Sequence, residues 1–220
     1  MQNRVFLRGL SRTAEIGLSL AGLVFLFPLL AAIALLIKST SRGPVLFRQK
    51  RIGRGGGEFI LYKFRSMRSD AGGLKLTAEG DARLTGIGRW LRRYKLDELP
   101  QLWNVFQGEM SFVGPRPEVS EYVDLKNPRW QEILKIRPGI TDPVALRLRN
   151  EEQLLAAVED REAFYIETLQ PFKLRGWAEY ARQKTWKTDL TVLLRTFKVI
   201  LLPETADAPT PEELSVAPID

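Results

Sequence analysis

Two adjacent carboxylates, Asp97 and Glu98, stand at the start of a predicted helix. Aspartate is a preferred N-cap and proline is tolerated in the first helical turn, so Asp97 is predicted to cap a helix that contains Pro100. The positive helix end should lower the pKa of both carboxyl groups and keep them ionised. Capping alone explains such a pair. An ionised aspartate is also a nucleophile toward phosphorus once a cation neutralises the phosphate oxygens, so both interpretations stay open locally.

Cationic residues around this pair predict contacts with phosphate. Lys63 and Arg65 follow a predicted strand, and Arg92 lies shortly before the carboxylates. Arg116 lies between two prolines, which limits the entropy lost when its guanidinium binds a phosphate in a bidentate manner. A loop ion pair between Arg116 and Glu118 is the alternative. Magnesium prefers a few carboxylates plus substrate phosphates, so the acidic pair is also a candidate metal site.

The composition excludes several kinds of chemistry. The 220 residues contain no cysteine and no histidine, which rules out thiolate nucleophiles, disulfides, histidine-based triads and histidine-ligated metals. The net charge is +7, although residues 203–220 hold five acids and no base. A basic body of this kind favours polyanionic partners: nucleic acid, anionic lipid or phosphorylated substrates. Composition does not choose among them.

Residues 16–37 form an apolar run of 22 residues without a charge, interrupted by Pro28. As a helix the run is about 33 Å long, enough for a membrane segment. Proline removes a helix hydrogen bond and predicts a break at Phe27-Pro28. Both flanks are basic, which favours a helix that enters and returns to the same face. A kinked single span oriented by its larger C-terminal charge cluster is the alternative.

The fold is predicted to be predominantly α with a small β-hairpin element around the glycines of residues 53–57. Apolar residues at helical spacing predict basic amphipathic helices near residues 87–94 and 190–201, at the membrane interface or over an ordinary core. Residues 150–169 are predicted to form an acid-rich helix. The predicted domains are a membrane helix (1–38), a catalytic domain (39–202) and a disordered acidic tail (203–220).

Several motifs occur in the order found in one family. They are Ser41 to Gly53, Lys63 to Met67, Leu96 to Leu102, Met110 to Pro117 and Arg137 to Thr141. On these motifs the chain resembles the bacterial sugar transferases, the monotopic polyprenyl-phosphate phosphoglycosyl transferases, over about residues 5–202.

The resemblance implies a re-entrant membrane helix and a two-step, Mg²⁺-dependent reaction. Asp97 would attack the phosphate next to the sugar in a UDP-sugar, release UMP and carry the phosphosugar until polyprenyl (undecaprenyl) phosphate accepts it. Glu98 would bind magnesium, with Asp97, or assist proton transfer. Lys63, Arg92 and Arg116 would hold phosphates.

The resemblance adds Arg65, Arg149 and Asp189 as substrate-binding candidates, although Asp189 fits a helix cap equally well. It implies UDP-sugar, polyprenyl phosphate and anionic lipid as partners, with no nucleic acid, and leaves the oligomeric state open, a homodimer included. It places the chain in the bacterial inner membrane with its catalytic domain on the cytoplasmic face, at the first membrane step of a glycoconjugate pathway. Phe27 replaces the usual serine, and residues 142–148 depart from the pattern, so the resemblance does not extend to donor recognition.

A membrane-anchored binding module for anionic lipid or nucleic acid is the competing functional class. It predicts salt-sensitive binding without turnover.

Overall fold

The computed structural model describes residues 9–68, 76–202, 205 and 207–215, and most of them are helical. The helices are α1 Arg12–Phe25, α2 Phe27–Thr40, α3 Gly86–Arg93, α4 Gln101–Gln107, α5 Pro128–Ile133, α6 Pro143–Arg147, α7 Glu151–Ala156, α8 Arg161–Phe164, α9 Gln170–Gln183, α10 Trp186–Leu201 and α11 Pro211–Ser215. The strands are β1 Leu46–Ile52, β2 Glu58–Phe64, β3 Ser111–Val113 and β4 Gly139–Thr141. The prediction of a mostly helical fold with a small hairpin is confirmed.

The apolar N-terminal run forms two helices, α1 and α2, whose axes differ by 59°. Pro28 has no amide hydrogen for the carbonyl four residues earlier, so the helix breaks at Leu26 and Pro28 lies in the first turn of α2. The break is therefore one residue earlier than predicted. Among the described residues, neither helix crosses a bilayer by its own length and apolarity; only the bent pair together meets that requirement.

Strands β1 and β2 pair in an antiparallel hairpin, from Leu46 opposite Phe64 to Ile52 opposite Glu58. Gly55 and Gly56 both have positive φ at its turn, a conformation that glycine adopts without a Cβ penalty. Ile37 of α2 is fully buried in a cluster with Phe64 of β2 and Leu91 of α3. The C-terminal end of the apolar helix pair is therefore packed into the rest of the protein.

The main core lies between α5, α6, the segment 155–169 and α9, and is centred on Trp130, Tyr165 and Trp177. The acid-rich helix predicted for residues 150–169 is broken in the structure. Asp160 accepts a hydrogen bond from the backbone of Ala163 and starts α8, and a π-helical turn at Tyr165–Leu169 leads into α9. Local capping therefore outcompetes the helical periodicity of that stretch.

Helix α10 confirms the predicted amphipathic helix near residues 190–201. It buries Val192 and Val199 and leaves a row of large apolar side chains exposed: Leu190, Leu194, Phe197 and Leu201. Helix α3 confirms the other one; its Leu91 is buried and its Trp90 is exposed. Their location at a membrane interface stays a prediction.

The described part of the acidic tail contains structure that the prediction of disorder did not include. Helix α11 lies there, and its Glu213 forms an ion pair with Arg147 at 2.7 Å. Residues 203, 204, 206 and 216–220 lie outside the described residues, as do residues 1–8 and 69–75. The division into three domains stays a prediction.

Candidate active site

Asp97 and Glu98 lie on a short 3-10 turn, Leu96–Glu98, between α3 and α4. Pro100 supplies no amide hydrogen for the Leu96 carbonyl, and Leu99 donates to that carbonyl instead, at 3.3 Å. The prediction that Asp97 is the N-cap of the following helix is therefore wrong, since Asp97 lies inside the turn before α4.

Glu98 accepts hydrogen bonds from two cations that come from different elements. Lys63 Nζ of β2 lies 2.8 Å from Glu98 Oε1, and Arg116 Nη2, from the loop after β3, lies 2.5 Å from the same oxygen. Burial raises the pKa of Glu98, but the charges of Arg116 and Lys63 outweigh it and hold that pKa well below its usual range. The alternative pairing of Arg116 with Glu118 is not what the structure shows.

Lys63 is the less hydrated of the two cations. Burial lowers the pKa of Lys63 to about 8, against the attraction of Glu98, which raises it. The side chain of Arg116 remains 32% exposed to the cleft. A guanidinium carries five N–H donors, so Arg116 can hold Glu98 and still donate to a phosphate.

Asp97 has no such partner for one of its oxygens. The residue is 5% exposed, and Oδ1 is buried without a hydrogen bond. Burial and the neighbouring charge of Glu98 raise the pKa of Asp97. The expectation that the helix end lowers the pKa of both carboxyls is thus wrong for Asp97, because desolvation and a like charge outweigh the helix end. Its unpartnered oxygen has lone pairs that can bind a cation or attack a phosphorus atom.

A magnesium ion fits this pair only with help from substrate. The described residues contain no group of three acidic side chains arranged as metal ligands. Asp97 offers an unpartnered oxygen, whereas Glu98 already holds Lys63 and Arg116. Two carboxylates suit a magnesium ion that takes its remaining ligands from phosphates and water.

A cleft of about 1860 Å³ opens beside the pair. Fourteen lysines and arginines but only seven acids of the described residues line it, which suits a substrate with several phosphate charges. Five predicted substrate-binding residues share this lining with Asp97 and Glu98: Lys63, Arg65, Arg92, Arg116 and Arg149.

Three of these five have structural partners of their own. Arg65 Nη2 donates to the carbonyl and hydroxyl oxygens of Ser41, at 2.8 and 2.7 Å. Arg92 pairs with Glu152 at 3.1 Å, and Arg149 donates to the Val199 carbonyl at 2.7 Å. Only Lys63 and Arg116 of the predicted set are bonded directly to the acidic pair.

The structure places Asp189 outside the cleft lining, in a separate buried network. It accepts hydrogen bonds from Tyr180 Oη at 2.5 Å, from Lys184 Nζ at 3.0 Å and from the Leu10 amide at 2.9 Å. It does not cap α10 either, because Thr185 does so in a capping box. Asp189 therefore ties the start of α1 to α9 and α10.

A second polar group in the cleft was not predicted from the sequence. Tyr165 donates to Glu118 Oε1 at 2.6 Å, Lys173 donates to Glu151 Oε1 at 2.7 Å, and Arg51 lies 3.5 Å from Glu118. These residues are far apart in the chain, and Tyr165 depends on a π-helical turn that periodicity does not reveal. Only Glu118, beside the Arg116 motif, carried a local signal.

The fold and the site together define a mostly helical protein with a bent apolar helix pair and a cationic cleft around two carboxylates. The chain belongs to the bacterial sugar transferase family, whose model matches residues 6–203.

Similar proteins occur in several bacteria. The chain is 38% identical over 185 residues to a UDP-glucose:undecaprenyl-phosphate glucose-1-phosphate transferase of Caulobacter vibrioides, covering 81% of this chain and 65% of that protein. It is 36% identical over 177 residues to the protein of the same name in Escherichia coli, covering 76% and 37%. It is 43% identical over 148 residues to exopolysaccharide production protein PSS of Rhizobium leguminosarum, covering 63% and 74%. The chain thus spans less than two thirds of the first two of these relatives.

Proposed function

We propose that this protein transfers a sugar 1-phosphate from a UDP-sugar to polyprenyl phosphate, specifically undecaprenyl phosphate, and releases UMP. The observation that carries the proposal is the unpartnered Asp97 oxygen beside Glu98, which holds Lys63 and Arg116 at the edge of a cationic cleft. Membership of the family and the names of the relatives support the substrate classes. This reaction begins a bacterial glycoconjugate pathway.

In the first step, an Asp97 oxygen attacks the donor phosphorus that bears the sugar. The bond from that phosphorus to the bridging oxygen breaks, UMP leaves with the electron pair, and an aspartyl phosphosugar forms. In the second step, a phosphate oxygen of the polyprenyl phosphate attacks the same phosphorus and Asp97 leaves as a carboxylate. The soluble donor and the lipid acceptor therefore need not be bound together.

Lys63 and Arg116 neutralise the phosphate oxygens during both steps, and Glu98 holds these two cations in place. We assign Asp97 and Glu98 as the protein ligands of a magnesium ion, which when bound supplies further charge neutralisation for the phosphates. The low pKa of Glu98, caused by its two cations against the effect of burial, favours this role over proton transfer.

The bent pair of α1 and α2 is proposed to be a re-entrant membrane hairpin. Arg12 near its start donates to the carbonyls of Val105 and Phe106, while Ile37 near its end is buried among residues of the same domain. Large apolar side chains at the bend are strongly exposed: Val24 at 68%, Phe25 at 84% and Phe27 at 67%. Burying this tip in lipid would keep both ends, and the cleft, at the level of the acceptor phosphate. The basic flanks favour the cytoplasmic face of the inner membrane.

The test is UMP release by the purified protein in nanodiscs with magnesium, undecaprenyl phosphate and a panel of UDP-sugars. Asp97→Asn should abolish release, whereas Asp124→Asn, a matched change at an exposed position, should not. Turnover that persists in Asp97→Asn, or a wild type that binds anions in a salt-sensitive way without releasing UMP, contradicts the proposal.

The covalent step has its own readout. Donor alone should add the mass of one phosphosugar to the wild-type protein, and peptide mapping should locate it at Asp97. Direct transfer in a ternary complex predicts no adduct before the lipid acceptor is added.

A further inference from the structure

The pairing of strands β3 and β4 places another carboxylate, that of Asp142, in the lining of the cleft. They pair in parallel, Ser111 opposite Gly139 and Val113 opposite Thr141, so their carboxyl ends lie at the same edge. The loop after β3 carries Arg116, and Asp142 directly follows β4. Gly114 and Gly139 lie so close that a Cβ on either would overlap the backbone of the other. The two loops are therefore held together without space for rearrangement.

Asp142 has one satisfied and one unsatisfied carboxylate oxygen. Oδ1 accepts from the amides of Val144 and Ala145 at 2.7 and 2.9 Å and from Trp177 Nε1 at 3.0 Å. Oδ2 is buried without a partner, in a residue that is 1% exposed and lines the cleft. A buried acceptor without a hydrogen bond raises the free energy of the folded protein. We therefore expect this oxygen to accept a hydrogen bond from a bound ligand, because the described protein residues supply no donor.

The surroundings of Asp142 mix donors and acceptors. Lys173 and Trp177 lie one turn apart on α9 and face the cleft, and Lys173 Nζ donates to Glu151. Tyr165, which also lines the cleft, donates a hydrogen bond to Glu118. Glu118 and Glu151 share Lys173, at 3.8 and 2.7 Å, and line the cleft together with Asp142. These carboxylates disfavour a further phosphate, whereas hydroxyl groups can donate to the carboxylates and accept from Lys173.

The rings in this pocket are not free to stack a base. Tyr165 packs against Tyr122 with centroids 4.8 Å apart, Trp177 packs against Trp130 at 6.0 Å, and both Tyr165 and Trp177 are almost fully buried. The pocket also adjoins the Asp97-Glu98 pair, because the β3–β4 pairing holds the loop of Arg116 beside that of Asp142, and Arg116 is bonded to Glu98. The group attached directly to the transferred phosphate is the sugar, and the nucleoside is one phosphate further away.

We propose that the polar pocket of Asp142, Glu118, Glu151, Tyr165 and Lys173 binds the sugar ring of the donor, with Asp142 Oδ2 accepting a hydrogen bond from a sugar hydroxyl. This inference rests on the proposed function and adds the residues that select the sugar. A site built around a substrate hydroxyl discriminates against sugars that cannot present it, because the buried acceptor is then left unpaired.

The test replaces Asp142 by asparagine, which keeps Oδ1 as an acceptor for the α6 amides and turns the Oδ2 position into a donor. Relative kcat/KM values are measured for UDP-glucose, UDP-galactose and their N-acetylamino counterparts in nanodiscs. Asp142→Asn should change the ratio between the best and the other sugars by about tenfold or more. Inhibition by UMP should stay within about twofold of wild type, since UMP lacks the sugar. Asp124→Asn should alter neither quantity.

Tyr165→Phe is the second variant, because it removes only the hydroxyl that bonds Glu118 and keeps the ring in the core. Tyr165→Phe tests the proposal if Asp142→Asn does not fold. The same change in the ratio of kcat/KM values between the sugars is expected. An unchanged ranking in the folded variants, or a parallel loss of UMP inhibition, overturns the assignment to the sugar. Failure of the proposed function would appear separately, as a wild-type protein without Asp97-dependent UMP release.

Discussion

Glu98 forms ion pairs with both Lys63 and Arg116, so it fixes the positions from which these cations would bind phosphate oxygens. Lys63 and Arg116 bind the same Glu98 oxygen; Lys63 comes from a strand, and Arg116 comes from a loop in which it lies between two prolines. Lysine and arginine differ here, because the guanidinium carries five N–H donors in a planar arrangement that suits bidentate contacts, whereas an ammonium carries three donors on one nitrogen.

The first prediction concerns the geometry of that guanidinium. Arg116→Lys keeps the charge and loses the fork, so donor kcat/KM should fall by about tenfold to a hundredfold. UMP release at saturating lipid acceptor measures it, with circular dichroism as a check on folding. Arg54→Lys, at an exposed position in the hairpin turn, is the matched control. Equal rates for Arg116→Lys and wild type would mean that charge alone suffices at this position.

At the residue scale, the sequence predicted Asp97, Glu98, Lys63 and Arg116 as site residues, and the structure brings them together, but the sequence did not predict the environment of Asp97. A helix end was expected to lower its pKa, whereas burial and the charge of Glu98 raise it. The burial of Asp97 depends on residues that are distant in the chain, so a local sequence pattern does not predict it. For Arg116, the sequence left phosphate binding and an ion pair with Glu118 as alternatives, and its ion pair with Glu98 was not predicted because the two residues meet only in the fold.

Helix α1 is joined to the catalytic part by polar contacts as well as by apolar packing. Arg12 Nη2 donates to the carbonyls of Val105 and Phe106 at 2.6 and 2.9 Å, at the C-terminal end of α4. Arg12 also pairs with the buried Glu15, which accepts from the Ser111 hydroxyl of β3. The α4 helix follows the Asp97-Glu98 turn directly, so these contacts link the bent apolar helix pair to the element that carries the acidic pair.

The second prediction is that Arg12→Met destabilises the protein by about 1–3 kcal/mol. The change removes the donors to two helix-end carbonyls and leaves the Glu15 carboxylate buried without its cation. Denaturant unfolding in detergent micelles measures the free energy of unfolding. Arg42→Met, at an exposed position after α2, should stay within about 0.5 kcal/mol of wild type. Similar losses in both variants would argue against a specific role for Arg12.

At the element scale, most predictions based on hydrophobic period and on proline or glycine were confirmed, but the single helix predicted for residues 150–169 was wrong. The α1–α2 break, the hairpin and helices α3 and α10 follow from local signals. The parallel pairing of β3 and β4 was not predicted, because each strand has three residues and its partner lies more than 25 residues away. The broken stretch at residues 150–169 failed because Asp160 capping and the π-helical turn interrupt an otherwise helical pattern.

At the scale of the whole molecule, large apolar side chains are exposed at two places. The bend between α1 and α2 exposes Phe25 and Phe27, and α10 exposes Phe197 and Leu201. Neither 14-residue helix of the bent pair reaches across a hydrocarbon core of about 30 Å alone, since each is about 21 Å long. The proposed re-entrant hairpin would fit these lengths, because its tip would enter lipid while both basic ends would remain in water.

The third prediction follows from that arrangement and uses the absence of native cysteine. Asn3→Cys and Arg42→Cys, one on each side of the bent pair, should react with a membrane-impermeant maleimide from the same face of sealed vesicles. Asp124→Cys, in an exposed loop of the catalytic part, should be labelled from that face as well and reports its orientation. A single span would bring Asn3→Cys to the opposite face and leave Arg42→Cys with Asp124→Cys. In a single span, one of the two basic flanks would lie on the non-cytoplasmic face, against the preference of lysine and arginine for the cytoplasmic side. A re-entrant hairpin keeps both flanks on the cytoplasmic side.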